Sequence, residues 1–109
     1  MNTFEKHDGN NSTIYHGNCL DVFKHIENSS VDLIFADPPY NIGKQFGDFK
    51  DVWPSDKAYA EWCYEWLEQC IKKLKPTGSM YVMTSTQAMP YFDLWLRERI
   101  TILLSLIHI

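Results

Sequence analysis

The chain is expected to fold as an α/β protein, with a parallel sheet and helices packed on its faces. Three observations predict this. Val31-Asp32-Leu33-Ile34-Phe35-Ala36 is a nearly continuous apolar run of strand length, which suits a central parallel strand covered on both sides. Tyr59, Trp62, Cys63, Trp66, Leu67, Cys70, Ile71 and Leu74 recur in alternating steps of three and one, which places them on one stripe of a long helix. The whole chain reads as strand, helix, strand, helix, strand, helix, strand, and that alternation implies parallel strands joined by helical crossovers.

The elements follow in order. Residues 1–12 read as a polar arm. Residues 13–16 (Thr-Ile-Tyr-His) are a short first strand, ended by Gly17-Asn18. Leu20, Phe23 and Ile26 have helical spacing and predict a helix over 19–28, closed by the turn Asn28-Ser29-Ser30. The second strand is 31–36. A loop over 37–55 is rich in Pro, Gly, Asn and Asp, and long loops in compact domains are often functional. The striped helix is predicted over 56–75. Ser55 or Asp56 caps it, Lys72, Lys73 and Lys75 suit its negative end, and Pro76 stops it. Pro76-Thr77-Gly78 reads as a turn and 79–84 as a second buried strand. A helix follows over 87–99, with Met89, Phe92, Trp95 and Leu96 inward and Pro90 tolerated in its first turn. Residues 100–107 read as a last strand.

Composition bounds the function. The chain has 109 residues, 45% of them apolar and 22% charged, as in one ordinary globular domain. Its net charge of −4 runs against phosphate binding, which needs Lys and Arg, so any basic nucleic-acid surface is expected on a part of the protein outside this segment. No secretory h-region is visible at the N-terminus, and the apolar stretch 100–109 is about half a bilayer span. Cys19, Cys63 and Cys70 are odd in number and form no C-x-x-C pair, which predicts reduced structural thiols in a cytoplasmic protein. His7, His16, His25 and His108 have no metal-ligand spacing. The strand ending at Asp37 has a Walker-B look, but the chain holds no phosphate-binding G-x-x-x-x-G-K-[ST] loop.

One loop carries a candidate chemistry. Asp37-Pro38-Pro39-Tyr40 follows directly on the 31–36 strand, and in open α/β sheets ligands bind beyond the carboxyl ends of the strands. Proline is ~5% of residues, so an adjacent pair arises at about one position in 400 by chance, which makes the pair in this place informative. The pattern suits an aromatic amine, whose lone pair is delocalised into its ring. Two acceptors on its two N–H bonds would draw the nitrogen toward a tetrahedral form. The Asp37 carboxylate supplies one and the Pro38 carbonyl the other, with Pro39 holding residue 38 extended. Tyr40 offers a flat face on which a flipped base can stack. Two other readings stand beside this one: a rigid strand-ending turn, and a polyproline docking segment. Lys44 and Phe46 could touch backbone phosphate or the base, although they read more readily as solvated loop residues. The aromatic stripe of the long helix reads as core rather than as a stacking platform.

With these residues in view, the sequence resembles the DNA amino-methyltransferases, which act on adenine N6 or cytosine N4. The motif Asp37-Pro38-Pro39-Tyr40-Asn41-Ile42-Gly43 carries the likeness, with Tyr15-His16-Gly17-Asn18-Cys19-Leu20-Asp21, Ser30-Val31-Asp32-Leu33-Ile34 and Leu74-Lys75-Pro76-Thr77-Gly78-Ser79 around it. It resembles the permuted class, in which the catalytic motif precedes the cofactor motif. The resemblance implies part of a Rossmann-like sheet with helices on both faces, S-adenosylmethionine as methyl donor, DNA as partner, no metal, and Asp37, Pro38, Pro39 and Tyr40 as catalytic residues. Asp before the proline pair leans toward adenine N6; cytosine N4, RNA bases and protein amides are the rivals. Many members carry Asp where Asn18 stands, at the bond to the cofactor's adenine amine, and that role is carried to Asn18.

The likeness also implies a fragment. The family's Phe-x-Gly-x-Gly cofactor loop and its target-recognition region do not occur in the chain, and the residues from Leu104 onward depart from the family's pattern. The domain division that follows is an arm over 1–12 and a partial catalytic domain over 13–109. In the family's sheet two later strands lie between the strands corresponding to 13–16 and 31–36. Without them apolar strand edges stay open, which invites aggregation. The segment is therefore expected to be unstable and inactive alone, and a cooperative thermal transition in the isolated chain contradicts this.

Overall fold

A computed structural model describes residues 4–43, 45–47, 49–50 and 52–105. In chain order the elements are β1 (Glu5–Gly9), β2 (Ser12–His16), α1 (Cys19–Phe23), β3 (Val31–Ala36), β4 (Gln45–Phe46), β5 (Phe49–Lys50), α2 (Asp56–Lys73), β6 (Leu74–Val82) and α3 (Met89–Arg97). The architecture is mixed α/β and divides into two compact units: Met1–Ile34 with Trp66–Met80, and Phe35–Glu65 with Tyr81–Ile109.

In the first unit β1 and β2 form an antiparallel hairpin, in register from Glu5 opposite His16 to Gly9 opposite Ser12. Asn11 closes the turn at φ +61°, a left-handed conformation that asparagine tolerates. The stretch read as a polar arm thus holds a strand over residues 5–9. All five of its residues are exposed, so no apolar alternation marks it in the sequence. Phe4 packs edge-on to Tyr15 and His25, with ring centroids 5.5 and 5.1 Å apart.

Helix α1 is shorter than its periodicity predicts. It ends at Phe23 and continues as tight turns, with the His25 N–H donating to the Val22 carbonyl and the Ile26 N–H to the Phe23 carbonyl. The Ser30 hydroxyl then bonds the Glu27 carbonyl, and Ser29 turns back at φ +54°. These short polar side chains bond the backbone locally and shape the turn into the next strand.

Strands β3 and β6 pair with each other. They run the same way: the Ser30 N–H donates to the Lys73 carbonyl at one end, and further along the Asp32 carbonyl lies beside Gly78. Here two expectations need correction. The long helix stops at Lys73, because the Ser29 and Ser30 amides take the carbonyls of Lys72 and Lys73. Pro76-Thr77-Gly78 is then strand rather than turn. Proline is tolerated because β6 has one partner among the described residues, and proline is confined to such edge positions. Gly78 is needed for close approach: an added Cβ would meet Leu74 Cδ1 at 2.6 Å and the Asp32 oxygen at 3.0 Å. The Lys75 ammonium pairs with Asp32 at 3.0 Å, and the buried Lys73 donates to Asn28 Oδ1 at 2.9 Å. Val22, Trp66, Leu67 and Cys70 are buried in this unit.

In the second unit Ser55 caps α2: its hydroxyl accepts the Ala58 N–H and its carbonyl the Tyr59 N–H. Ser85 does the same before α3 for Ala88 and Met89, with Pro90 in the first turn. The long loop contains a minimal hairpin, β4 with β5, whose turn includes Gly47 at φ +57°. Tyr59, Cys63, Phe92 and Leu96 are buried, as the helical stripes predict; Ala60 and Ala88 are buried as well, whereas Trp62, also on the predicted stripe, is exposed. Tyr64 and Trp95 stack at 4.9 Å and 5°, and the Arg99 guanidinium covers the Trp95 ring at 3.8 Å.

Two further expectations change. The strand predicted over 100–107 is not formed by its described part, residues 100–105; 106–109 lie outside the described residues. Leu103 and Leu104 are exposed there, and a β-rich apolar run becomes a strand only where a partner strand completes its ladder. The wide sheet covered on both faces is likewise not formed by the described residues, which make three two-stranded sheets. The β3 side chains Leu33 and Phe35 remain exposed, although the continuous apolar run suits a covered strand. Among the described residues no helix is long and apolar enough to cross a membrane.

Candidate functional site

The site grows out of the end of β3. The Ala36 carbonyl accepts the Met83 N–H at 2.9 Å, so Asp37 leaves the sheet where the paired strand β6 also ends. Two anchors then fix the loop. The Tyr59 hydroxyl, on the first turn of α2, donates to the Pro39 carbonyl. Asn41 adopts φ +62°, and its side-chain oxygen accepts the Trp53 N–H at 2.9 Å. The anchors are themselves in contact, with the Trp53 and Tyr59 rings edge-to-face at 5.0 Å. Trp62 lies 4.8 Å from Trp53, and Phe92 stacks on Tyr59 at 6.2 Å. The aromatic stripe of α2 is therefore the bed of the loop, in keeping with its reading as core.

Between the anchors the Tyr40 hydroxyl donates to one oxygen of the Asp37 carboxylate. That hydrogen bond, with burial and the Asp37 charge behind it, raises the Tyr40 pKa and keeps the phenol protonated as a donor. Among the described residues nothing donates to the second Asp37 oxygen or to the Pro38 carbonyl. These are the two acceptors the sequence singles out. The neighbouring Pro39 carbonyl is occupied by Tyr59. Asp37 is exposed, and Pro38, Pro39 and Tyr40 are half-buried.

The other candidate residues fall elsewhere. Asn18 lies in the first unit as the N-cap of α1, where its Oδ1 accepts the Leu20 N–H at 3.0 Å. Lys44 and the side chain of Phe46 lie outside the described residues, as does His108. Cys19 is exposed; Cys63 and Cys70 are buried, and burial pushes the Cys70 thiol up to about 11, with Cys19 as the lesser cause. A thiol held protonated in this way is a poor nucleophile, as its structural reading expects. No group of three or more His, Cys, Asp or Glu side chains able to hold a metal ion occurs among the described residues.

Sequence reasoning missed Tyr59 and Trp53 as parts of the site. Tyr59 was absorbed into the apolar stripe. The available signal was chemical: a tyrosine at a core position still needs a partner for its hydroxyl, and the nearby loop could offer one.

Comparison with known proteins completes the picture. Residues 31–108 match the N6/N4 DNA methylase family model. The chain is 49% identical over 90 residues to the DNA adenine methyltransferase YhdJ of Escherichia coli (strain K12), a match covering 83% of this chain and 30% of that protein. It is 34% identical over 87 residues to the type II methyltransferase M.BamHI of Bacillus amyloliquefaciens, covering 80% of this chain and 21% of the relative. With the type II methyltransferase M.HpaI of Haemophilus parainfluenzae the identity is 40% over 74 residues, or 68% and 23% of the two chains. The chain thus spans less than a third of the length of these relatives. The family match takes in β3, the Asp37 loop, α2, β6 and α3, and on this ground the chain belongs to the N6/N4 DNA methylase family.

Proposed function

We propose that this chain is the catalytic-loop segment of a DNA methyltransferase that transfers a methyl group from S-adenosylmethionine to adenine N6 of a flipped base. The observation that carries the reading is the pair of open acceptors, the second Asp37 oxygen and the Pro38 carbonyl, on a loop anchored on both sides. The amine of a base placed against Tyr40 would give one N–H to each. Its lone pair is then localised and directed away from the ring. S-adenosylmethionine, when bound, supplies an electrophilic methyl group on a sulfonium. Transfer would form the N–C bond as the methyl's S–C bond breaks and a neutral thioether leaves; the Asp37 carboxylate would stabilise the positive charge that grows on the nitrogen. The same carboxylate is placed to take the surplus proton once the methyl has transferred.

The residues present fit the methyl donor in part. Asn18 is exposed, and a carbonyl oxygen has two lone pairs, of which Leu20 uses one. The second can accept the donor's adenine amine. The remaining cofactor contacts and the target-recognition surface are assigned to the two thirds or more of the relatives' length that this chain does not cover. On this reading residues 13–109 form part of a catalytic domain, and the β3–β6 pair is the nucleus of a wider Rossmann-like sheet with helices on both faces. DNA is the partner, no metal takes part, and the enzyme is cytoplasmic. Adenine is favoured over cytosine by the name of the Escherichia coli relative.

Product analysis tests the assignment. The protein in its full natural chain is incubated with DNA and methyl-labelled S-adenosylmethionine, and the DNA is digested to nucleosides. Label in N6-methyladenine is the expected result. Label in N4-methylcytosine moves the enzyme to the other branch of the family, and unlabelled DNA with labelled RNA or protein overturns the proposal.

A further inference from the structure

Tyr59 joins the catalytic loop to the long helix, and the manner of joining has a chemical consequence. Its side chain is fully buried, packed between Trp53 on one side and Phe92 on another, so the hydroxyl has almost no freedom of direction. That hydroxyl donates to the carbonyl of Pro39. Two consecutive proline carbonyls stand on the loop, and proline brings no N–H that could distinguish them. The bond to Tyr59 engages the second and leaves the first as an acceptor. It also sets the rotation of the peptide plane after Pro39 just before Tyr40. Two residues on, Asn41 is held by the Trp53 N–H, and Trp53 leans on the Tyr59 ring. Tyr40 is thus bracketed by two hydrogen bonds whose outer partners are in contact.

From this geometry we infer that Tyr59 is a positioning residue for methyl transfer. Its hydroxyl, through Pro39 and together with the Trp53–Asn41 bond, selects the Pro38 carbonyl as the acceptor for the target amine and holds Tyr40 in place for the base. The inference rests on the reading that residues 37–40 hold that amine. A packing role would need only the ring of Tyr59; the positioning role needs the oxygen. Tyr59 is fully buried and its hydroxyl is engaged by Pro39, so on this reading its effect reaches the reacting atoms through the loop.

The test is Tyr59→Phe in the full natural chain, which keeps the ring and removes the donor. Tyr64→Phe serves as the control, since it deletes a hydroxyl from the same helix that bonds the Tyr91 carbonyl at 3.4 Å, away from the loop. Three quantities are read: steady-state methyl transfer, thermal stability, and hydrogen exchange at the Trp53 amide, which reports the second anchor. With Tyr59→Phe, kcat is expected to fall and Trp53 exchange to quicken, each by about three- to tenfold, the fold-change one hydrogen bond supports. The KM for DNA and the Tm stay near wild type, and Tyr64→Phe moves nothing. Unchanged exchange and kcat overturn the inference, as does a lowered Tm with kcat per folded molecule retained, or an equal response from Tyr64→Phe. If the wild-type protein methylates no DNA, the functional assignment fails by itself, and the exchange measurement still decides whether Tyr59 holds the loop.

Discussion

Asp37→Ala is expected to lower kcat for methyl transfer by about 10²–10³-fold while leaving DNA binding and folding nearly intact. The size follows from the role. A preorganised polar group aimed at charge that develops in the transition state is worth roughly that factor when removed, and it acts little on the ground state. The retention of folding follows from the structure. Asp37 is exposed, and its one described hydrogen-bond partner is the hydroxyl of the half-buried Tyr40. Asp37→Asn refines the argument. It keeps one acceptor oxygen, but Tyr40 already donates to that side of the group. If the amide oxygen stays with Tyr40, its NH₂ faces the amine of the base, donor against donor. If it turns to the base, Tyr40 loses its acceptor. An intermediate fall in kcat is therefore expected for the asparagine variant. Single-turnover kinetics with enzyme in excess over DNA, beside steady-state kcat, measure both variants. Full activity in Asp37→Ala removes the carboxylate from the mechanism, and a large loss of Tm would recast Asp37 as structural.

The largest effect on stability is expected from Leu67→Ala. Leu67 is fully buried on the inward stripe of α2, in the same unit as Trp66, Cys70 and Val22. Truncation removes three carbons, the Cγ methine and its two methyls, and leaves a cavity at a fully buried position that the surroundings close only in part. Such substitutions cost about 2–5 kcal/mol, a large share of the roughly 5–15 kcal/mol that holds a domain together. In chemical denaturation of the full natural chain, the midpoint should drop while the slope is kept. Ile71→Ala, at a half-buried position on the same helix, should cost clearly less. An equal or smaller loss for Leu67 would mean that the stripe does not face the core.

The long-range pattern of this protein was legible in its sequence. The stripe from Tyr59 to Ile71 became α2, with Leu74 opening β6 instead, and the apolar run Val31 to Ala36 became β3, because periodicity and apolar run length are properties of the residues themselves. The Asp-Pro-Pro-Tyr loop was legible for a different reason: its residue types are rare in that order and sit at a strand end. The same local signals misplaced several boundaries. Pro76-Thr77-Gly78 has the composition of a turn, yet it lies in β6, because the Ser29 and Ser30 amides end the helix at Lys73 and the backbone of β3 offers a ladder immediately after. Residues 5–9 have no apolar pattern, yet they form β1, because the backbone of β2 pairs with them whatever their side chains. The apolar residues 100–105 promised a strand, and among the described residues no partner completes it.

For the candidate site, the sequence by itself determined the chemistry available: a carboxylate, two proline carbonyls and an aromatic ring in four consecutive positions. Only the tertiary structure decided which carbonyl is left open. That choice depends on the Tyr59 hydroxyl, 20 residues away along the chain, reaching Pro39, and on Trp53 reaching Asn41. Residue types specify what a group can donate or accept; which partner it meets is a matter of distance and direction, and these exist only once the helix has packed beneath the loop.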